Sequence, residues 1–318
     1  MVSWPFESMN KKDVMGCLGG AGFLFLCSAY FPLFGPLFCL LTPAPFLYYS
    51  TKLGLKNGIK LAFLTIVLAG IAGILIGYPQ AILFCVELSA LGLVLAEIFR
   101  RRFTLGQTIL FASLFLILMS MGHLFILGLS KGVDPFELLV NYLNGQVKQT
   151  ITAYEEMGVP GEDLVELESY ARVFVNTVYP SLMIVGTGFT VWLNVVVARP
   201  LFTRGNLKYP DFVPMDRWET PEPLIWGVIV SGFSLFLLPG VIRSLAANVM
   251  IVLMAIYLFH GVSIIAFFLH KYRLPLWIRI GIYLLIIIQQ LFLVLLALAG
   301  VFDQWVDFRK LHREQEAS

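Results

Sequence analysis

Among the polar side chains inside long apolar segments, five are of types that could do chemistry there. Glu87, His123 and His260 are ionisable, and Asn194 and Asn248 are amides. An ionisable group at bilayer depth costs about 2.5 to 3.5 kcal/mol, so it usually faces the bundle interior and has a partner. Together these groups could bind a small polar solute or carry protons. The alternatives are a structural carboxylate, hydrogen-bonded core histidines and interhelical amide bonds.

The same residues give little indication of a metal site or a catalytic site. A zinc site needs three or four converging ligands, and neither His123 nor His260 has a second ligand at i+4. The cysteines show no CxxC spacing and all lie in apolar runs, at Cys17, Cys27, Cys39 and Cys85. The motifs HExxH, GxxxxGK[ST] and GxGxxG are absent from the sequence. We therefore expect no metal, no cofactor and no enzymatic reaction.

The composition predicts an all-α, polytopic integral membrane protein. Hydrophobic residues make up 58% of the chain and charged residues only 13%, against about half and about a quarter in soluble domains. The mean hydropathy is +0.84. A net charge of +2 is too small to indicate nucleic-acid binding, so lipid is the first expected partner.

Apolar runs predict about nine transmembrane helices, with eight as the alternative, because a bilayer core needs about 20 apolar residues per helix. The second run contains Pro36, Pro43 and Pro45, so it must kink or break. A short turn at Tyr78 and Pro79 separates the third and fourth runs. The predicted spans are 14–31, 33–50, 59–77, 80–99, 108–129, 171–198, 224–238, 245–269 and 276–300.

One acidic stretch, residues 131–170, divides the chain and suggests its orientation. It follows a first helical block at 14–130 and precedes a second block at 171–301 and a polar tail at 302–318, all within a single membrane domain. Cytoplasmic loops collect Lys and Arg, so we expect this stretch outside the cell and the N-terminus inside. Asp134 and Pro135 predict the start of an extramembrane amphipathic helix.

The charge pattern is contradictory around the last predicted span. Basic residues lie before it or in its first turn at Lys271, Arg273 and Arg279, and others follow it at Arg309, Lys310 and Arg313. Both clusters cannot be cytoplasmic if this span crosses once. Either the tail is outside, giving nine crossings, or 224–238 does not cross, giving eight. The length of 223–269 favours nine.

The end of the chain carries its most specific pattern, GVFDQWVDFRK at residues 300–310. With Asn248, His260-Gly261 and the early stretch 42–45, this pattern resembles the closing signature of the YybS-like family, bacterial multi-span membrane proteins. That family is similar in predicted topology to the S components of ECF-type transporters. The signature residues are Asp303, Trp305, Asp307, Phe308 and Arg309. Their plain physical interpretation is capping of the membrane exit.

These patterns predict a transport-type protein of the bacterial inner membrane. The resemblance implies a small solute bound in a cavity among the helices, with ATPase or other membrane subunits supplied by other chains. We expect Glu87, His123, Asn194, Asn248 and His260 to converge on that cavity. The alternative from another class is a scaffold that presents the loop 199–222 to a cytoplasmic partner.

Overall fold

The computed structural model describes residues 9–30, 35–76 and 81–309, and their regular structure is helical, without strands in these ranges. The turn predicted at Tyr78 and Pro79 lies outside the described residues, as do Lys310 and Arg313 of the tail. The helices up to the acidic stretch are α1 (Lys11–Tyr30), α2 (Gly35–Leu41), α3 (Pro43–Leu53), α4 (Leu55–Ile76), α5 (Ala81–Arg100) and α6 (Leu105–Lys131).

The helices from the acidic stretch onward include one long continuous element and one sharply bent pair. A 3-10 turn, Met215–Arg217, lies in the loop between α8 and α9. The helices are α7 (Pro135–Glu156), α8 (Gly161–Arg204), α9 (Leu224–Leu237), α10 (Gly240–Lys271), α11 (Leu276–Ile288) and α12 (Gln290–Val306).

Local sequence signals set several helix ends. Thr104 and Gln107 form a capping box at the start of α6, each side chain accepting from the other residue's backbone N–H. The helix predicted to start at Pro135 does so. It ends at a turn where Gly158 has a φ of +88° and Val159 N–H donates to Tyr154 O, which is a glycine C-cap.

The first compact unit comprises Met1–Pro135 and Gly186–Phe212. Helix α3 lies directly on α5, because Gly92 brings the two backbones together: a Cβ at position 92 would stand 2.6 Å from Pro43 O. Around this contact a core of buried apolar side chains extends from α3 and α5 to α6 and the end of α8, and it includes Leu47, Leu95, Val195 and Phe202.

The second compact unit comprises Phe136–Val185 and Val213–Ser318, and α10 is its central element. Glycines allow α12 to approach α10 at backbone distance. A Cβ at Gly261 would stand 2.0 Å from Leu296 O, and one at Gly300 would stand 2.2 Å from Tyr257 O. Larger residues at these two positions would force the helices apart.

Among the described residues, five helices are long and apolar enough to cross a membrane, or six if the bent pair α11–α12 counts as one span. The five are α4, α5, α6, α8 and α10. This number is below the nine or eight expected from the sequence. The predicted second span is broken at Thr42 into α2 and α3, and α9 has only 14 residues, short of the about 20 that a bilayer needs.

The final span predicted at 276–300 is not one continuous helix. The helix breaks at Gln289, and α11 and α12 meet at an angle of 101°. His270, at the end of α10, holds Asp216 through a 2.8 Å contact between Nδ1 and Oδ2. Arg309, just after α12, reaches Asp216 O at 3.4 Å and Trp218 O at 3.1 Å. Both ends of the bent pair therefore lie beside the same short segment.

We expect α11 and α12 to enter and leave the membrane on one side, because a crossing would separate their ends by about 30 Å. The basic residues before and after the pair would then share a side, which removes the conflict in the charge pattern. Impermeant maleimide labelling of Arg217→Cys and Ser318→Cys in intact cells, in a background with the four native cysteines replaced by alanine, should give the same result at both positions. Opposite accessibility would show that the pair crosses.

Candidate functional site

Glu87 and His123 form an ion-pairing contact between neighbouring helices α5 and α6. His123 Nδ1 lies 2.7 Å from Glu87 Oε1, and Ser120 Oγ donates to Glu87 Oε2 at 3.1 Å. Both helices are span candidates. The helix of His123 offers no metal ligand at i+4, and the partner of His123 comes from the adjacent helix, 36 residues away in the chain.

The Glu87–His123 pair combines two side-chain types that can exchange protons. Asp, Glu and His side chains within spans are typical of proton relays in pumps and transporters. The Glu87 and His123 side chains are 16% and 23% exposed, so the pair is not sealed in the core of its unit. The described residues contain no group of three or more His, Cys, Asp or Glu side chains placed to hold a metal ion.

Asn194 on α8 stabilises the break between α2 and α3. Its Nδ2 donates to Leu40 O at 2.7 Å and to Thr190 O at 2.8 Å, and the residue is fully buried. Pro43 and Pro45 lack the N–H groups that would continue the helix, so main-chain carbonyls at this point need other donors. Asn194, which the sequence predicted to bind a solute, thus donates its hydrogen bonds to main-chain carbonyls.

Asn248 on α10 makes an equivalent bridge to α8. Its Oδ1 accepts from Ser181 N–H at 2.9 Å, and its Nδ2 donates to Thr177 O at 2.8 Å. These two main-chain groups are the ones that pair with each other in a regular helix, and Pro180 lies between them. The Asn248 amide therefore spans the proline-containing turn, and α8 continues through it as one helix.

His260 belongs to a buried ionic cluster completed by the tail. His260 Nε2 and Arg309 Nη2 both lie 3.0 Å from Asp303 Oδ2. Arg309 also donates to Ser263 Oγ at 2.9 Å and to Glu219 Oε1 at 3.2 Å. The Arg309 side chain has no exposed surface. One guanidinium thus bonds two carboxylates and connects four separate chain segments.

The other signature residues play more local roles. Asp303 Oδ1 accepts from Phe308 N–H at 2.7 Å, which folds the tail back at Asp307, a residue with a φ of +47°. Trp305 and Phe308 keep 62% and 42% of their surface exposed. The sequence indicated His260, Asp303 and Arg309 separately but not that they contact one another. It did not indicate Ser263 and Glu219, because neither residue belongs to a recognisable pattern.

The five predicted solute-binding residues fall into different arrangements. Glu87 pairs with His123, whereas Asn194, in the same unit, bonds main chain at another place. In the second unit Asn248 bonds α8 and His260 bonds the tail cluster. Two cavities in the first unit, of about 460 and 220 Å³, are lined by other residues. The described contacts therefore give no shared pocket within either unit.

Comparison with known proteins gives a family and a distant relative. The family model described as "Predicted membrane protein (DUF2232)" matches residues 21–304. The chain is 22% identical over 291 residues to "Uncharacterized protein YybS" of Bacillus subtilis (strain 168), which covers 89% of this chain and 92% of that protein. No solved structure matches the chain.

Replacing Asn248 should destabilise the protein. Asn248→Leu leaves Ser181 N–H and Thr177 O without the amide, and losing hydrogen-bond partners at buried groups costs about 1 to 3 kcal/mol. The measurement is thermal unfolding of the purified protein in detergent. Asn176→Ala is the control, since this exposed residue of the same turn makes only a 3.4 Å contact with Asn144. Equal melting of both variants would show that the bridge is energetically unimportant.

Removing Arg309 should have a larger effect. Arg309→Ala leaves Asp303 charged and buried without its cation, and breaking a buried ion pair costs about 3 to 5 kcal/mol. The double variant Asp303→Leu with Arg309→Met should unfold at a higher temperature than Arg309→Ala, because it also removes the deeply buried carboxylate, and Glu219 is partly exposed. The exposed Arg217→Ala serves as control. Wild-type melting of Arg309→Ala would contradict the assigned role.

Proposed function

We propose, from the premise that this chain belongs to the DUF2232 family of predicted membrane proteins, that it moves a small solute across the bacterial cytoplasmic membrane in a proton-dependent way. The Glu87–His123 pair carries the proposal. Ionisable groups inside membrane helices are costly, and those that persist commonly serve substrate or proton pathways.

The depth of the pair supports this role. Glu87 lies 13 residues before Arg100, the end of α5, so it stands about 20 Å from the basic loop along the helix axis. That distance is about two thirds of a 30 Å hydrocarbon core. A proton that binds at this depth has moved into the hydrocarbon core, whereas a proton that binds a surface group has not.

The contacts of the pair suggest how protonation acts. With the proton on His123 and Glu87 ionised, the 2.7 Å contact is a charge-assisted bond between α5 and α6. A second proton on Glu87 removes that attraction, and Ser120 Oγ remains as a weaker partner. The proton count of the pair thus sets the strength of one helix–helix contact, which is the kind of element that can alternate between two states.

The proposal requires no reaction catalysed by this chain. The sequence has no nucleotide-binding motif, so an S-component mode of action would need ATPase subunits from other chains. By the positive-inside rule, the loop with Arg100 to Arg102 faces the cytoplasm, and the N-terminus with it. A scaffold that uses the loop 199–222 is less favoured, because Asp216, Trp218 and Glu219 already bond other parts of their own unit.

Neutralising Glu87 should abolish proton dependence. Thiamine, riboflavin, biotin, adenine and uracil are tested for thermal stabilisation of the purified protein, and stabilising compounds are then followed, radiolabelled, into proteoliposomes with and without an inward pH gradient. Wild-type uptake should rise with the gradient. Glu87→Gln and His123→Gln should lose that rise, because the pair can no longer exchange its proton.

Glu97→Gln on the same helix is the matched control. Glu97 lies at the membrane edge and contacts Arg101 at 3.2 Å and Arg100 at 3.5 Å, which is the interfacial pairing expected from the sequence. This variant should keep gradient-driven uptake. The proposal fails if no compound stabilises the wild-type protein, or if Glu87→Gln transports like Glu97→Gln. ATP-dependent uptake requiring added subunits, unchanged in Glu87→Gln, would instead indicate the S-component mode.

A further inference from the structure

A cavity of about 460 Å³ lies in the first unit between the end of α5 and the segment after α8. Its volume is within the range of about 300 to 1,000 Å³ found for small-molecule sites. None of the residues discussed for transport contributes to it. The lining residues are Thr51, Phe99, Arg100, Arg102, Phe103, Leu207, Lys208, Tyr209, Pro210 and Asp211.

The lining carries more positive than negative charge: it includes Arg100, Arg102 and Lys208 but one carboxylate, Asp211. Arg100 is engaged, since its Nη2 donates to Ser50 O at 2.9 Å and its Nη1 lies 3.5 Å from Glu97 Oε2. In the described part of the chain, neither Arg102 nor Lys208 forms an ion pair. Their N–H donors are therefore available to an anion.

Aromatic packing holds the cavity wall in place. The Phe99 ring contacts Tyr209 and Phe212, each at 5.7 Å between centroids, and Tyr209 contacts Phe212 at 5.5 Å. Tyr209 also donates from its hydroxyl to Val195 O at 2.8 Å. Burial raises the pKa of Tyr209 to about 12, so its hydroxyl stays neutral and adds no negative charge beside the cations.

The loop backbone fixes the position of Arg102. This residue has a φ of +55°, in the left-handed region that side chains other than Asn, Asp and His rarely adopt. The tight turn directs the chain away from α5 immediately after Arg101, and Thr104 then caps α6. The cation is thus attached to a turn with defined ends on both sides.

We propose that this cavity binds a phosphate-bearing ligand. Guanidinium groups match phosphate oxygens bidentately, and lysine adds a point charge. The half-apolar lining, with the rings of Phe99, Phe103 and Tyr209, accommodates the organic part of the ligand. The same chemistry fits a soluble phosphate ester or the headgroup of an anionic lipid, which is abundant at the cytoplasmic leaflet.

The test uses the full-length protein in uncharged detergent, with binding measured by thermophoresis. The soluble probe is adenosine 5′-monophosphate, with adenosine as its phosphate-free counterpart, and the lipid probe is dioctanoyl phosphatidylglycerol. Arg102→Gly, which tolerates the positive φ, and Lys208→Ala should each weaken binding by about tenfold or more. Arg101→Ala is the control, because Arg101 is the neighbouring cation, pairs with Glu97 and does not line the cavity.

Each outcome decides the matter. Binding of adenosine 5′-monophosphate but not adenosine, displaced by inorganic phosphate, identifies a soluble ester as ligand. Binding of phosphatidylglycerol alone identifies the lipid headgroup. The proposal is overturned if neither probe binds, if both cavity variants bind like the wild type, or if Arg101→Ala weakens binding equally. Unchanged melting temperatures of the variants exclude unfolding as the cause. Loss of Glu87 should leave this binding intact, which separates it from the transport proposal.

Discussion

Satisfying main-chain polar groups where helices are interrupted is the constraint on which the rest of this structure depends. In an apolar environment no water replaces a missing backbone bond, so each interruption needs a donor or acceptor from the protein. Asn194 serves the break between α2 and α3, and Asn248 serves the turn at Pro180. Arg309 and Ser263 both donate to Trp218 O in the loop before α9. Some polar residues that the sequence predicted to bind a solute are thus hydrogen-bonded to the backbone.

The two ionic groups differ in a way that bears on function. The carboxylate of Glu87 contacts two side chains and remains partly exposed, so its partners can change at modest cost. Arg309 is fully buried and its donors reach several acceptors at once, so releasing it would strand charge in the interior. The first arrangement suits a group that exchanges protons, and the second suits a fixed joint between segments. The Arg309 contacts thus bind segments of its own chain to one another.

Much of the helical layout could be predicted from the sequence, but the contacts between helices could not. The long apolar runs predicted α5, α6 and α10 to within a few residues, and Asp134-Pro135 predicted the start of α7. The bend at Gln289 was missed because its run is mostly apolar and contains no proline there, and two glutamines do not by themselves predict a break. Glu87, His123 and His260 were found singly, since an intramembrane charge is conspicuous by itself. Their partners lie 36 and 43 residues away on other helices, a separation that periodicity cannot report. The cationic cavity depends likewise on aromatic contacts that bring Lys208 beside Arg102.

The position of Arg309 along the chain has a consequence for biogenesis. Its hydrogen-bond partners in the cluster precede it, by as few as 6 residues for Asp303 and as many as 93 for Asp216. During vectorial synthesis the histidine, both carboxylates and the exposed carbonyls emerge before the cation that unites them. Before Arg309 is synthesised, the carboxylates of this cluster lack their cation. The cluster in the second unit can therefore be completed only after Arg309 has been added to the chain.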